Sequence, residues 1–393
     1  MTRTSLIVLV GVLLSITLAL AGSNAGAVAA NPVPDAPIPG KTGLLSQCAS
    51  LQDQAQYRCY IRGFLTMIDA AGDPATELPR IDGLVHQTGG FLEAACHPLM
   101  HSVGRTWARE HHVTFANLMR YTPRSNDPGC SAGFGMGLVM YLGPQLVLNP
   151  REVLGTCAQL ATRFRRYTCI HGAGHALMRG FHSQLRDAVR ACRALGPLNA
   201  PDCSQGAFHD YWIALSGADG TTPLEGADDS ARSVCAGYEF ARPCWYRFFW
   251  ERHPDERMYE ATDILRACSG LDGIQRAGCV SGASLSMARQ REPVDHARTC
   301  AALSGNDTID CLRGVNVPLV AGNPFESLRL IRTCADLSRT TRSRCYSWFG
   351  RTLAVVTDGR FRRTGCPELA DAQAQNWCAV GAARMGRPLR TFS

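Results

Sequence analysis

The chain has 393 residues, 40 Lys and Arg against 33 Asp and Glu for a formal charge of +7, and 46% hydrophobic residues. That length and apolar content exclude a miniature scaffold that relies on disulfides because it cannot build a core. The basic excess is arginine spread along the chain, with Lys41 the only lysine, so a nucleic-acid groove is disfavoured and no nucleic-acid partner is expected.

The N-terminus comes first. Arg3 precedes an apolar run from Leu6 to Ala21, and the small residues Ala27, Val28, Ala29 and Ala30 lead into Asn31-Pro32. This pattern reads as a signal peptide over residues 1–30, with an uncleaved anchor as the alternative. Residues 31–43, proline-rich at their start, are expected to form a disordered lead-in. Beyond the leader no stretch approaches the roughly 20 apolar residues that span a bilayer, so the mature form is expected to lack a transmembrane segment. The expected location is secreted, periplasmic or on the exterior of the cell envelope, where disulfides persist and an envelope protein is a plausible partner.

All 18 cysteines lie beyond residue 47. Eight pairs keep nearly one interval: Cys48/Cys59, Cys157/Cys169, Cys192/Cys203, Cys235/Cys244, Cys268/Cys279, Cys300/Cys311, Cys334/Cys345 and Cys366/Cys378. Such spacing in an exported chain reads as a disulfide framework, and Cys96 with Cys130 makes a ninth bridge.

One unit shows the local logic. Val189, Cys192 and Leu195 recur at helical spacing before Gly196-Pro197 ends the helix. Asp202 then occupies an expected cap position before a second helix carrying Ala207, Tyr211 and Leu215. A bridge from Cys192 to Cys203 would staple the two helices at their loop.

Second-helix cysteines recur every 32 to 41 residues, from Cys59 through Cys96, Cys130, Cys169, Cys203, Cys244, Cys279, Cys311 and Cys345 to Cys378. That is the period of a helical-hairpin repeat. Gly133, Gly172, Gly206, Gly282, Gly314 and Gly381 each follow their cysteine by three residues, with Gly63 one place later. Glycine costs about 1 kcal/mol in a helix interior, so its repetition implies close crossing of neighbouring helices. The expected fold is all-α: disulfide-stapled helical hairpins over residues 44–393, about ten units by this count of cysteines, stacked into a superhelix or a closed α/α array. Long loops are expected near residues 69–83, 121–130 and 216–232. The cysteine period runs through the last of these and favours one array over two lobes.

Function must come from where the repeats differ. His97 and His101 stand four residues apart, as do His171 and His175, so each pair projects from one helix face and has chelate spacing. His209 and His175 both follow their unit's cysteine by six residues, and His101 follows its own by five; equivalent positions in stacked hairpins share a surface. Pro98 is compatible with the first pair if it lies in the first helical turn. The five histidines are expected to ligate one or two transition-metal ions, with copper, iron or zinc all suited to imidazole. A hydrogen-bonded core network without an ion is the competing explanation.

His171-Gly-Ala-Gly-His175 has the histidine spacing of H-E-x-x-H but lacks its glutamate, which disfavours a conventional zinc protease. Glu93 and Asp210 are the catalytic candidates: Glu93 extends the stripe of His97 and His101, and Asp210 adjoins His209. Arg105, Arg179 and Arg247 follow the histidine-bearing segments and offer charge for an anionic substrate. Trp245, Tyr246, Phe248, Phe249 and Trp250, with Tyr211, Trp212, Tyr346 and Trp348, either line a cavity or pack between hairpins. No C-x-x-C-H sequence exists for covalent heme attachment. The expected function is that of an exported metalloenzyme, oxidative or hydrolytic, acting on a small molecule or peptide. The alternatives are a non-catalytic protein-binding scaffold and a metal or heme carrier.

Overall fold

The computed structural model describes residues 41–127, 129–216, 230–251, 260–288, 298–321, 332–357 and 360–384. The expected signal peptide, the lead-in up to residue 40 and most of the expected loop at 216–232 lie outside the described residues. The segment 38–393 is one compact unit.

Its elements are helices throughout the described residues. In chain order they are α1 (Lys41–Ala49), α2 (Asp53–Ala71), α3 (Pro74–Thr88), α4 (Gly90–Glu110), α5 (Leu118–Tyr121), α6 (Cys130–Tyr141), α7 (Gly143–Leu148) and α8 (Glu152–Ala158). They continue with α9 (Arg163–Gly180), α10 (Leu185–Arg193), α11 (Ala200–Ser216), α12 (Ala231–Ala236), α13 (Ala241–Glu251), α14 (Ala261–Ala267) and α15 (Gly273–Ala288). The C-terminal part holds α16 (Gly305–Ala321), a short 3-10 helix (Arg332–Asp336), α17 (Arg339–Val356), α18 (Arg360–Thr364), a second 3-10 helix (Cys366–Glu368) and α19 (Ala372–Ala383).

Disulfides join adjacent helices, as in α10 to α11 through Cys192–Cys203 and α8 to α9 through Cys157–Cys169, with Cα separations of 5.5 and 5.7 Å. Further bridges of the same kind are Cys48–Cys59, Cys235–Cys244, Cys268–Cys279, Cys300–Cys311, Cys334–Cys345 and Cys366–Cys378. Cys96–Cys130 differs, because it ties together α4 and α6, two long helices that pack side by side. The result is an all-α stack of disulfide-stapled hairpins.

The inner layer runs α4, α6, α9, α11, α13, α15, α16, α17, α19, each packed on the next, and α17 also touches α9. The stack therefore curves back on itself. Trp107, Trp212, Phe64, Phe134, Phe208 and Phe349 are among its largest fully buried side chains, each contributing roughly 1.5–3 kcal/mol relative to exposure. Trp245 and Phe249 are buried as well, and Trp212 meets Phe248 edge-on at 5.1 Å. These rings pack hairpin against hairpin.

Glycine sets the closeness of the layer. A Cβ built on Gly133 would overlap the carbonyl oxygen of His97; one on Gly206 would overlap that of His171, and one on Gly314 that of Ser281. The same holds for Gly381 against Ser347, and Gly282 would bring a Cβ to 2.6 Å from the Trp245 oxygen. In these five helices one register position seats glycine on the carbonyl one or two residues past the previous unit's cysteine.

Four local expectations need correction. Residues 69–83 are not a long loop: Gly72 at φ 70° ends α2, and Asp73 caps α3 by accepting from Ala75 N–H at 3.0 Å, with Pro74 in the first turn. The turn residues there compress into a two-residue connection. Pro98 is not in a first turn, because Gly89 and Gly90, both at positive φ, start α4 well upstream of it. Asp202 is not a cap either, since α11 already begins at Ala200. It instead pairs with Arg163 at 3.6 Å, and burial pushes its carboxyl up to about 6. Helix α1 also begins at Lys41, inside the segment expected as lead-in.

Candidate metal centre

Helix α9 presents Tyr167, His171, His175 and Arg179 at intervals of four, so all four project from one face. The glycines between the histidines permit this. Gly174 sits under the Cys203 carbonyl of α11, and a Cβ at Gly172 would lie 3.1 Å from Met136 Cα of α6. Position 172 is where H-E-x-x-H would place its glutamate, and a side chain there would press on the α6 backbone.

His171 Nε2 lies 3.2 Å from His175 Nε2. Two nitrogens on one tetrahedral ion, each at about 2.0–2.1 Å, stand roughly 3.3 Å apart, so this pair is already at ligand spacing. His209 enters from α11, and one ligand atom from each of the three residues falls within 4.8 Å of the others. His171, His175 and His209 therefore form a buried cluster capable of coordinating a metal ion.

Helix α4 brings the remaining two histidines alongside. The His101 ring is centred 5.0 Å from His175 and 6.1 Å from His209, and His97 lies 4.8 Å from His101. Although α6 packs between α4 and α9, its Gly133 and Gly137 seat against the carbonyls of His97 and His101, which keeps α4 close. The five rings form a continuous series, of which His171, His175 and His209 lie close enough to share one ion.

One carboxylate fixes the outer side of a ring, and a second lies close to another. Asp210 Oδ1 is 3.3 Å from His175 Nδ1 and accepts from Arg179 Nη2 at 3.1 Å. Glu251 of α13 is 2.9 Å from His209 Nε2. A proton on His175 Nδ1 turns its Nε2 lone pair inward. His209 Nδ1 and His101 Nε2 are buried without a hydrogen-bond partner. An unmet buried nitrogen costs about 1–3 kcal/mol, and a bound ion is a direct way to satisfy one.

Electrostatics keep the rings neutral. Burial, reinforced by the neighbouring histidines and arginines, holds His101, His171 and His209 well below the ordinary histidine value. Burial lowers His175 too, with Asp210 partly opposing it. Burial alone would raise Asp210, yet the His175 hydrogen bond and Arg179 together bring it below the usual carboxylate value. Neutral imidazole is the ligand form, so no proton has to be displaced from these rings near neutral pH.

Arg247 closes the group from α13. Its Nη2 is 3.4 Å from His171 Nε2 and its Nη1 is 3.7 Å from Glu251. Tyr167, whose hydroxyl donates to Gln205 at 3.0 Å, is pushed up to about 12 by burial and remains a neutral phenol.

Glu93 stands apart. Its carboxylate is 3.0 Å from His86 Nδ1 and half exposed, while His86 Nε2 reaches Asp127 at 2.8 Å. The Glu93 side chain thus reaches His86 of α3. Sequence reasoning missed Glu251, Tyr167 and the His86–Asp127 pair. A signal existed for Glu251, which is one helical turn after Arg247, but its link to His209 spans 42 residues and has no local trace.

No protein-family model, no curated protein and no solved structure matches this chain. Among the described residues, no helix is long and apolar enough to cross a membrane.

Proposed function

We propose that this protein is an exported metalloenzyme that binds a transition-metal ion through His171, His175 and His209 and uses it for oxidative or hydrolytic chemistry on a small molecule or peptide. The observation that carries the reading is the convergence of three neutral imidazoles, one of them backed by the Asp210 carboxylate. Three nitrogen ligands leave a fourth position for water or substrate, the arrangement that catalytic sites keep open. Copper, iron and zinc all suit this donor set; the first two would support oxidation and zinc hydrolysis. His97 and His101, next in the chain of rings, would hold a second ion or pass protons to the first. Asp210 acts by orienting His175, and Glu93, on His86, has no direct part in the centre.

The test is elemental analysis by mass spectrometry of protein isolated from its native exported fraction, beside a variant carrying His171→Ala and His175→Ala. Near-stoichiometric metal in the wild type and its loss in a helical, disulfide-intact variant are expected. Full metal retention by the variant would sink the site. A carrier role is the second reading, favoured by the depth of the cluster, since His171 and His175 are both 0% exposed; turnover of candidate substrates by the metal-loaded protein separates the two.

A further inference from the structure

The charges around the three histidines balance only without an ion. Arg247 Nη2 lies 3.4 Å from His171 Nε2, Asp210 joins His175 to Arg179, and Glu251 lies 2.9 Å from His209. Across these contacts two guanidinium groups face two carboxylates and cancel. A divalent cation bound at the centre adds two positive charges that nothing in this set offsets. Buried charge without a partner is strongly unfavourable.

Arg247 sharpens the point because of where it comes from. It follows Cys244 by three residues, the register position that holds glycine in the α6, α9, α11, α15, α16 and α19 units. Where glycine stands, the helix seats on its neighbour's carbonyl; at α13 a long cationic side chain takes that place and extends to His171 Nε2 at 3.4 Å. The guanidinium is largely buried, at 11% exposure, and its Nε has no acceptor. A fixed cation directed at a ligand nitrogen repels a metal ion unless an anion lies between them.

Resting on the metal-centre reading above, we infer that the ion binds together with a small oxyanion, one oxygen on the metal and another on the Arg247 fork. Guanidinium presents parallel N–H donors matched to paired oxygens, so carboxylates and tetrahedral oxyanions share the needed chemistry. Metal and anion then raise each other's affinity by the same factor. The substrate or product of the centre belongs to this class, and Arg247 sets the specificity.

The test uses the full chain, freed of metal and titrated with cobalt(II), whose visible spectrum reports coordination. Titrations run in chloride, then with formate or sulfate replacing chloride at constant ionic strength. Cobalt affinity is expected to rise about tenfold or more with at least one oxyanion, within the range usual for coupled sites, with a change in the visible bands. Formate acting more strongly assigns a carboxylate, sulfate a tetrahedral anion. Arg247→Gln is expected to bind cobalt at least as well as wild type in chloride and to lose the oxyanion dependence. Arg247→Lys, which keeps the charge but not the fork, should fall between them. Circular dichroism verifies helicity, and the wild-type titration stands even if a variant misfolds. Cobalt binding that neither oxyanion alters overturns the inference and leaves the metal centre standing. Absence of cobalt binding by the wild type overturns the metal centre itself.

Discussion

Gly206 of α11 seats its bare Cα against the carbonyl oxygen of His171 in α9. The crossing that stacks one hairpin on the next is therefore also the crossing that carries His209 to His171. Packing and site share one contact.

Substitution at that contact has a definite sign. Helix propensity alone would make Gly206→Ala stabilising by about 1 kcal/mol, but the added methyl meets backbone that cannot yield. A net loss of about 1–3 kcal/mol is expected, as for overpacked cores, with weaker metal binding. Gly155→Ala in α8, where nothing lies within 4 Å of a new Cβ, should stabilise. Chemical denaturation of the two variants decides it; equal and positive shifts would remove the close-crossing explanation.

Asp210 positions His175 through its Nδ1. Asp210→Asn keeps the shape but removes the charge that both orients the ring and balances Arg179. Metal affinity should fall about 10- to 100-fold, with helicity retained. A competition titration against a chromophoric chelator measures the change, and an unaltered constant would deny Asp210 this role.

A second polar group predicts pH dependence away from the histidine cluster. Burial alone would lower His86, but its hydrogen bonds to Asp127 and Glu93 outweigh that and raise it. Its contribution is present in full below the unfolded value near 6.5 and is lost as pH rises through the raised folded value. Asp82, hydrogen-bonded to Ser131, is pushed up to about 7 by burial and then by the charge of Asp127. Its folded form holds the proton longer than the unfolded one, so stability declines from about pH 4 toward about pH 7. Both groups favour the acidic side. Hydrogen exchange in α3 and residues 122–127, corrected for intrinsic rate, should be slower at about pH 6 than at about pH 8, and the reverse order would exclude this linkage.

The staples carry stability that can be removed one at a time. Replacing Cys192 and Cys203 together by serine opens a bridge of sequence separation 11 and should cost about 2–4 kcal/mol. Since that bridge fixes the start of α11, His209 and Asp210 should lose order with it. Peptide mapping without reduction is expected to recover the nine pairings in the wild type. Bridges between distant units in place of these would dismantle the hairpin stack.

Much of the fold was legible because its determinants are local and periodic. The cysteine interval, the glycine three residues later and the turn residues between them repeat often enough to define a unit. Length of connection was less legible: Gly72-Asp73-Pro74 carries the composition of a loop but performs the termination of one helix and the capping of the next. At the site, register placed His175 and His209 at corresponding positions, and the i,i+4 spacing gave the two pairs. The same helical spacing drew Glu93 into the stripe, where it does not contribute, because a stripe fixes the face of a helix but not what faces a given turn of it.

The repeat, the staples and the faces on which the histidines lie each depend on residues within one hairpin, so they are written in the chain. Only the tertiary structure decided that the faces of α4, α9 and α11 close on one point, that Asp210 reaches His175, and that α13 delivers Arg247 and Glu251 to the same group. Those relations depend on the angle accumulated from one stacked hairpin to the next. The repeated glycine marks where units touch, but the angle at which they cross depends on contacts between units that lie far apart in the chain.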